Sequence, residues 1–273
     1  MSSPVEILLR STHSLSEPAN LAFTTVTVVL FVFLSYKTFK AKAYRFQLAL
    51  FVTLLSLRIT VYAFRAALAR DKNQGIKSPK FIQYGASVLL IAGYLFFVEA
   101  VMSLTLAWIM KSRNIQMSKK SLYTLYASEH FLCLVVSIFG VVGAILLTGA
   151  SSANDIKNSR ILRALSGALF AALTLALMSV TALHYTEPQF KLSSNNRTKH
   201  RMLQMCILLL LQTCVLVEAI YRIWSAVKLQ GFIIGSAAVP VLVFLPETLS
   251  ALVLLIVPLN KVTASAQDAM EEE

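Results

Sequence analysis

Seven runs of mostly apolar residues fill most of this chain, each about long enough to cross a lipid bilayer: Asn20–Tyr36, Phe46–Ala69, Phe81–Met110, Leu122–Thr148, Ile161–Tyr185, Met202–Val227 and Ser236–Leu259. Spanning the ~30 Å hydrocarbon core takes roughly 20 residues at ~1.5 Å rise each. Lipid offers no water to backbone amides and carbonyls, so each run has to satisfy its own by forming a helix. The expected fold is therefore an all-α membrane protein, a bundle of seven transmembrane helices that is integral and multi-pass. The runs leave an N-terminal tail (1–19), an acidic C-terminal tail (260–273) and short loops, the longest of about 16 residues. No soluble domain of ordinary size fits among them, so residues 20–259 are read as one membrane domain. No cleavable leader is expected, because Met1–Pro18 offers only the short apolar run Ile7-Leu8-Leu9. The first span would act as the signal anchor.

The net charge is +12. Its positive residues lie in short loops beside spans, where topology and anionic headgroups account for them, so membrane lipids are expected as partners and nucleic acid is not. Thirteen Lys and Arg fall on one side: Lys37, Lys40, Lys42, Arg45, Lys111, Arg113, Lys119, Lys120, Lys191, Arg197, Lys199, Arg201 and Lys261. Nine fall on the other: Arg10, Arg70, Lys72, Lys77, Lys80, Lys157, Arg160, Arg163 and Lys228. The bias predicts the N-terminus outside and the C-terminus in the cytosol. One motif opposes it. Asn196-Arg197-Thr198 is a glycosylation sequon in a loop that this topology makes cytosolic, and a glycan there would reverse the orientation. Plasma membrane and endomembranes both fit.

Cys133, Cys206 and Cys214 all lie in spans, which predicts packing residues and no loop disulfide. Small residues at helical spacing (Ala164, Gly167 and Ala171 in span five, Gly140 and Gly143 in span four) predict close helix contact, inside the bundle or in a homodimer. In span seven, Pro246 removes an amide hydrogen, frees the Leu242 carbonyl and should kink the helix beside Glu247, whereas Pro240 lies in the first turns and is tolerated.

The most informative residues are the ions inside the spans. Each costs about 2.5–3.5 kcal/mol at the bilayer centre even on the mildest scale, so they should face the bundle interior. Arg58 and Arg65 in span two share a face with Tyr62; Glu99 lies in span three, Glu218 and Arg222 four apart in span six, and Glu247 in span seven. They predict a polar site among spans two, three, six and seven. Arg58 and Arg65 would take the anionic head of an amphipathic or lipid-like ligand, with Tyr62 and Arg222 beside it and Glu99, Glu218 and Glu247 as counter-charges. The same set also reads as a buried network that holds helices together, or as a proton path. Glu129, His130 and His184, nearer the cytosolic face, are expected to reach water.

Several chemistries are set aside. Span seven has no mid-span lysine for retinal, the span histidines do not pair for haem, four histidines do not supply a seven-span zinc hydrolase, and no phosphate loop or nucleophile elbow occurs. No enzyme, cofactor or metal is expected. The rhodopsin-type triplet after span three and the Asn-Pro-x-x-Tyr order in span seven are also missing.

Span two, Leu57-Arg58-Ile59-Thr60-Val61-Tyr62-Ala63-Phe64-Arg65, and span seven, Glu247-Thr248-Leu249-Ser250-Ala251-Leu252-Val253-Leu254, resemble the corresponding spans of the plant tobamovirus multiplication protein family and its animal orphan-receptor-like relatives. That family places a proline after the acidic residue of span seven, where Pro246 here precedes Glu247. Val217-Glu218-Ala219-Ile220-Tyr221-Arg222-Ile223-Trp224 is similar to span six of the fungal lipid-translocating exporter family, whose next loop is usually longer than Lys228–Gly235. The resemblances imply a receptor-like seven-helix bundle with the shape of the G-protein-coupled receptors and leave its function open. The buried charges point first to a lipid sensor or handler, and the basic cytosolic loops with the acidic tail (Asp268, Glu271, Glu272 and Glu273) point alternatively to a scaffold that recruits a protein partner. Proton-coupled transport is the third expectation.

Overall fold

The computed structural model describes residues 17–41, 44–75, 79–112, 118–186, 195–227 and 240–257. The described residues form seven helices and no strand: α1 Glu17–Lys40, α2 Arg45–Asn73, α3 Lys80–Ser112, α4 Lys119–Thr148, α5 Ala153–Thr186, α6 Asn195–Val227 and α7 Leu245–Ile256, with a π-helical turn, Pro240–Phe244, leading into α7. Helices α1–α6 are long and apolar enough to cross a membrane, and α7 with part of its π turn is a shorter apolar helix. This is a multi-pass membrane protein.

The helices overrun the apolar runs at their polar ends. α1 takes in Glu17–Ala19, three residues read as tail, and α6 begins at Asn195, so the Asn196 sequon lies in a helix rather than a loop. Span seven, expected over 236–259, is described only from Pro240, and the loop before it, the acidic tail and the side chain of His184 lie outside the described residues.

Each helix packs on the next, and α7 closes the ring between α6 and α1, while α3 also reaches α5 and α6. Direction alternates. Gly85 meets Phe64 and Gly93 meets Arg58, so α2 and α3 are antiparallel. α7 runs parallel to α1, with Phe23 beside Phe244 near their starts and Lys37 bonded to the α7 end. The end where α1 begins is called upper below, and the opposite end lower.

The outside of the bundle is apolar: Phe33, Phe131, Ile161 and Leu183 are all more than half exposed. Buried polar groups tie the inside together. Gln212 Nε2 donates to Thr105 Oγ1 (3.1 Å) and Thr181 Oγ1 (3.0 Å), joining α6 to α3 and α5. Tyr94 donates to the Val215 carbonyl at 3.1 Å and Trp108 to Gln204 at 2.8 Å. At the lower end the Lys37 ammonium donates to the carbonyls of Leu254, Leu255 (3.0 Å) and Val257 (2.6 Å). These are the orphan acceptors of the α7 C-terminus, which a cation suits twice over, by hydrogen bond and by dipole.

The glycines of α4 and α5 pack inward. A Cβ at Gly140 would meet Ser166, and one at Gly143 would meet Arg163 and the Ser159 carbonyl, all on α5. Cys133 and Cys214 are buried as packing residues, whereas Cys206 sits on the outside. A Cβ at Gly167 would lie 2.9 Å from Ile223 Cγ1 and 3.2 Å from its backbone nitrogen, and backbone cannot give way as a side-chain tip can. Gly167→Leu is therefore expected to force α5 off α6 and destabilise the bundle by about 1–3 kcal/mol, read as a lower melting midpoint in detergent; an unchanged midpoint would refute this close approach.

Candidate functional site

Arg58, at the middle of α2, is 1% exposed and points into the bundle. Its Nε lies 2.8 Å and 2.7 Å from the two carboxylate oxygens of Glu247 on α7, and Nη2 also donates to that carboxylate. Nη2 further reaches Glu218 Oε1 on α6 at 3.4 Å, and Nη1 donates to the Leu90 carbonyl on α3 at 2.8 Å. One guanidinium thus joins four helices. Planar, always charged and with five donors, it is the side chain suited to such a junction.

Glu218 Oε1 also accepts from Arg222 Nη2 (2.7 Å) and Nε (3.3 Å), one helical turn away. Arg222 Nη2 donates to the same Leu90 carbonyl at 3.0 Å, and its guanidinium lies 4.2 Å from the centre of the Tyr94 ring. Two arginines and two glutamates make this knot neutral, as a charge cluster in a low-dielectric interior has to be.

Two local features let the knot form. A Cβ on Gly93 would sit 2.8 Å from Arg58 Nη1, so the guanidinium lies against α3 only because that position is glycine. In α7 the backbone is π-helical up to Phe244 and α-helical from Leu245, with Pro246 in its first turn. A proline without an amide hydrogen breaks the regular ladder there, and the change of helix type sets Glu247 at the start of α7, 3% exposed, facing Arg58.

Of the seven residues expected at the site, Arg58, Glu218, Arg222 and Glu247 meet in the knot. Tyr62 stands one turn above Arg58 with its ring 5.8 Å from those of Phe23 and Phe244. Its hydroxyl is buried with no hydrogen-bond partner among the described residues. Arg65, three residues further up, is 6% exposed, and among the described residues it holds no hydrogen bond or ion pair. It lies within electrostatic reach of Tyr62, Tyr221 and Arg58. Tyr221 in turn senses Arg65, Arg163 and Arg222, so the upper half carries surplus positive charge.

Glu99 does not join them. It sits six residues below Gly93, about 240° further round the helix at ~100° per residue, and so faces α4 instead of α2. There its Oε1 pairs with His130 Nδ1 at 2.7 Å. Glu129, expected to reach water, is instead 7% exposed, while the His130 side chain is half exposed. The sequence reading also missed Gly93 and the Leu90 carbonyl. Gly85 and Gly93, eight residues apart on one face of α3 and both against α2, were the available signal.

No family model matches this chain, and no curated protein or solved structure matches it. The functional reading rests on the geometry of its own residues.

Removing one member of a buried ion pair leaves an uncompensated charge, whereas replacing both by apolar groups does not. Arg58→Leu alone is expected to cost about 3–5 kcal/mol, and Arg58→Leu with Glu247→Leu to regain most of it. Melting midpoints of the purified single and double variants check this, and a double variant no better than the single would show that the two do not act as a pair.

Proposed function

We propose that the chain crosses the membrane seven times, N-terminus outside and C-terminus cytosolic, and binds an anionic amphipathic ligand in the upper half of the bundle. The parallel course of α1 and α7 supports an odd number of crossings, and the excess of Lys and Arg at the lower end supports that orientation. The observation that carries the ligand reading is the pair Arg65 and Tyr62. Both are buried and are neighbours on one face of α2; among the described residues the Tyr62 hydroxyl has no hydrogen-bond partner and Arg65 holds no hydrogen bond or ion pair. Buried polar groups are nearly always partnered, so two orphans side by side call for a group from outside the chain. The knot beneath engages Glu218 and Glu247, so among the described residues no acid pairs with Arg65. A carboxylate or phosphate would bond Arg65 and accept from Tyr62, and an apolar tail would lie along the aromatic side of Phe23 and Phe244. This is receptor-like sensing or lipid handling, without chemistry on the ligand.

A second reading has one observation in its favour. The knot balances its own charges, as a purely structural device would, which suits a membrane scaffold that recruits a protein partner to its basic lower loops.

Oleate added to the purified protein in zwitterionic nanodiscs separates the two. A lost charge-assisted hydrogen bond is worth about 1.5–3 kcal/mol, and about 1.4 kcal/mol is tenfold in affinity. Arg65→Met should therefore weaken oleate binding at least about tenfold while raising the melting midpoint of the ligand-free protein, since an unpaired buried charge is gone. Tyr62→Phe should weaken binding less. Oleate binding that is absent from the wild type, or undiminished in Arg65→Met, rules the reading out.

A further inference from the structure

We propose that Glu99 and Glu129, in the lower half of the bundle, form a proton-binding site that exchanges with the lower membrane face through His130. The site is separate from the knot, because it opens toward α4, on the far side of α3 from Arg58.

The geometry is that of two carboxyl groups with too few donors. Glu99 is 3% and Glu129 7% exposed. Glu99 Oε1 has the His130 ring, but Glu99 Oε2 and both oxygens of Glu129 are buried with no hydrogen-bond partner among the described residues. Glu129 lies within electrostatic reach of Glu99. Apart from the His130 ring, the described groups around them supply no positive charge. Cys133 of α4 lies 3.7 Å from Met102 of α3, and Tyr126 of α4 shares a hydrogen bond with Gln47 of α2 and senses Tyr44. Among the described residues no Lys or Arg bonds either carboxyl group, and no three His, Cys, Asp or Glu side chains are set to hold a metal ion.

Two like charges in a low-dielectric interior repel strongly, and neither can stay ionised beside the other without a counter-charge. Hydrogen bonds from solvent leave that charge in place. One proton removes half of it, as in carboxyl pairs that hold a single proton between them. His130 supplies the route. Its side chain is half exposed, and Nδ1 is already 2.7 Å from Glu99 Oε1. Nε2 takes a proton from water, Nδ1–H passes one to Glu99, and the ring is left as the other tautomer, so the balance is one proton moved from water to the carboxyl pair.

Infrared difference spectroscopy on the full chain in nanodiscs tests this without any ligand, so its outcome is independent of the reading given to Arg65. The wild type should show the C=O stretch of a protonated carboxylic acid at neutral pH. That band should shift in D2O, be lost in Glu129→Gln at an unchanged melting midpoint, and persist in Glu247→Gln. In His130→Phe the D2O shift should develop more slowly. The proposal is overturned if the wild type has no such band, if the band survives in Glu129→Gln, or if His130→Phe exchanges as fast as the wild type.

Discussion

A positive charge held at mid-membrane is the constraint on which the rest of this structure depends. Arg58 is never neutral under ordinary conditions, so the bundle has to bring acceptors to it. Four other helices contribute. α7 gives a carboxylate, α6 gives a second one with its own arginine, α3 gives a carbonyl and the absence of a Cβ, and α1 backs the arrangement through Phe23 and Lys37. In lipid there is no hydrophobic force between helices, so packing and interhelical hydrogen bonds hold them. That is why polar ties are set into an otherwise apolar interior, while the exterior facing lipid is apolar.

The knot also divides the molecule electrically. Above it lie arginines in excess of acids, Arg65 and Arg163 beside Tyr221; below it lie Glu99 and Glu129 with one histidine. The centre balances two arginines against two glutamates, and the two flanks carry charge of opposite sign.

Much of this was legible in the chain. Helical class, helix number and the burial of Arg58, Glu218 and Glu247 follow from hydropathy and from what a charge costs in lipid. So does the Glu218–Arg222 pair, since four residues is one turn. What failed to show was azimuth. Glu99 lies six residues, roughly 9 Å, below Gly93, and its angle from that glycine sends it to α4. Depth can be counted along a span, whereas a facing direction needs the neighbour's position. Glu129 illustrates a second limit. Its closeness to the membrane edge suggested water, but a seven-residue-wide window of sequence does not say that Tyr126, Cys133 and α3 enclose it. The Lys37 cap was hidden for a third reason, because its partners are backbone carbonyls and carry no residue signature.

The pairing of Arg58 with Glu247 joins residues 189 apart in the chain. A ribosome adding about 5–20 residues per second needs roughly 10–40 s to cover that interval. Throughout it the second helix has been made and its last counter-ion has not. A half-built protein of this kind must be sheltered by the insertion machinery or by passing lipid headgroups. A chain stopped before the final helix leaves Arg58 with only the Leu90 carbonyl and the Glu218 carboxylate that it shares with Arg222, without its closest counter-ion.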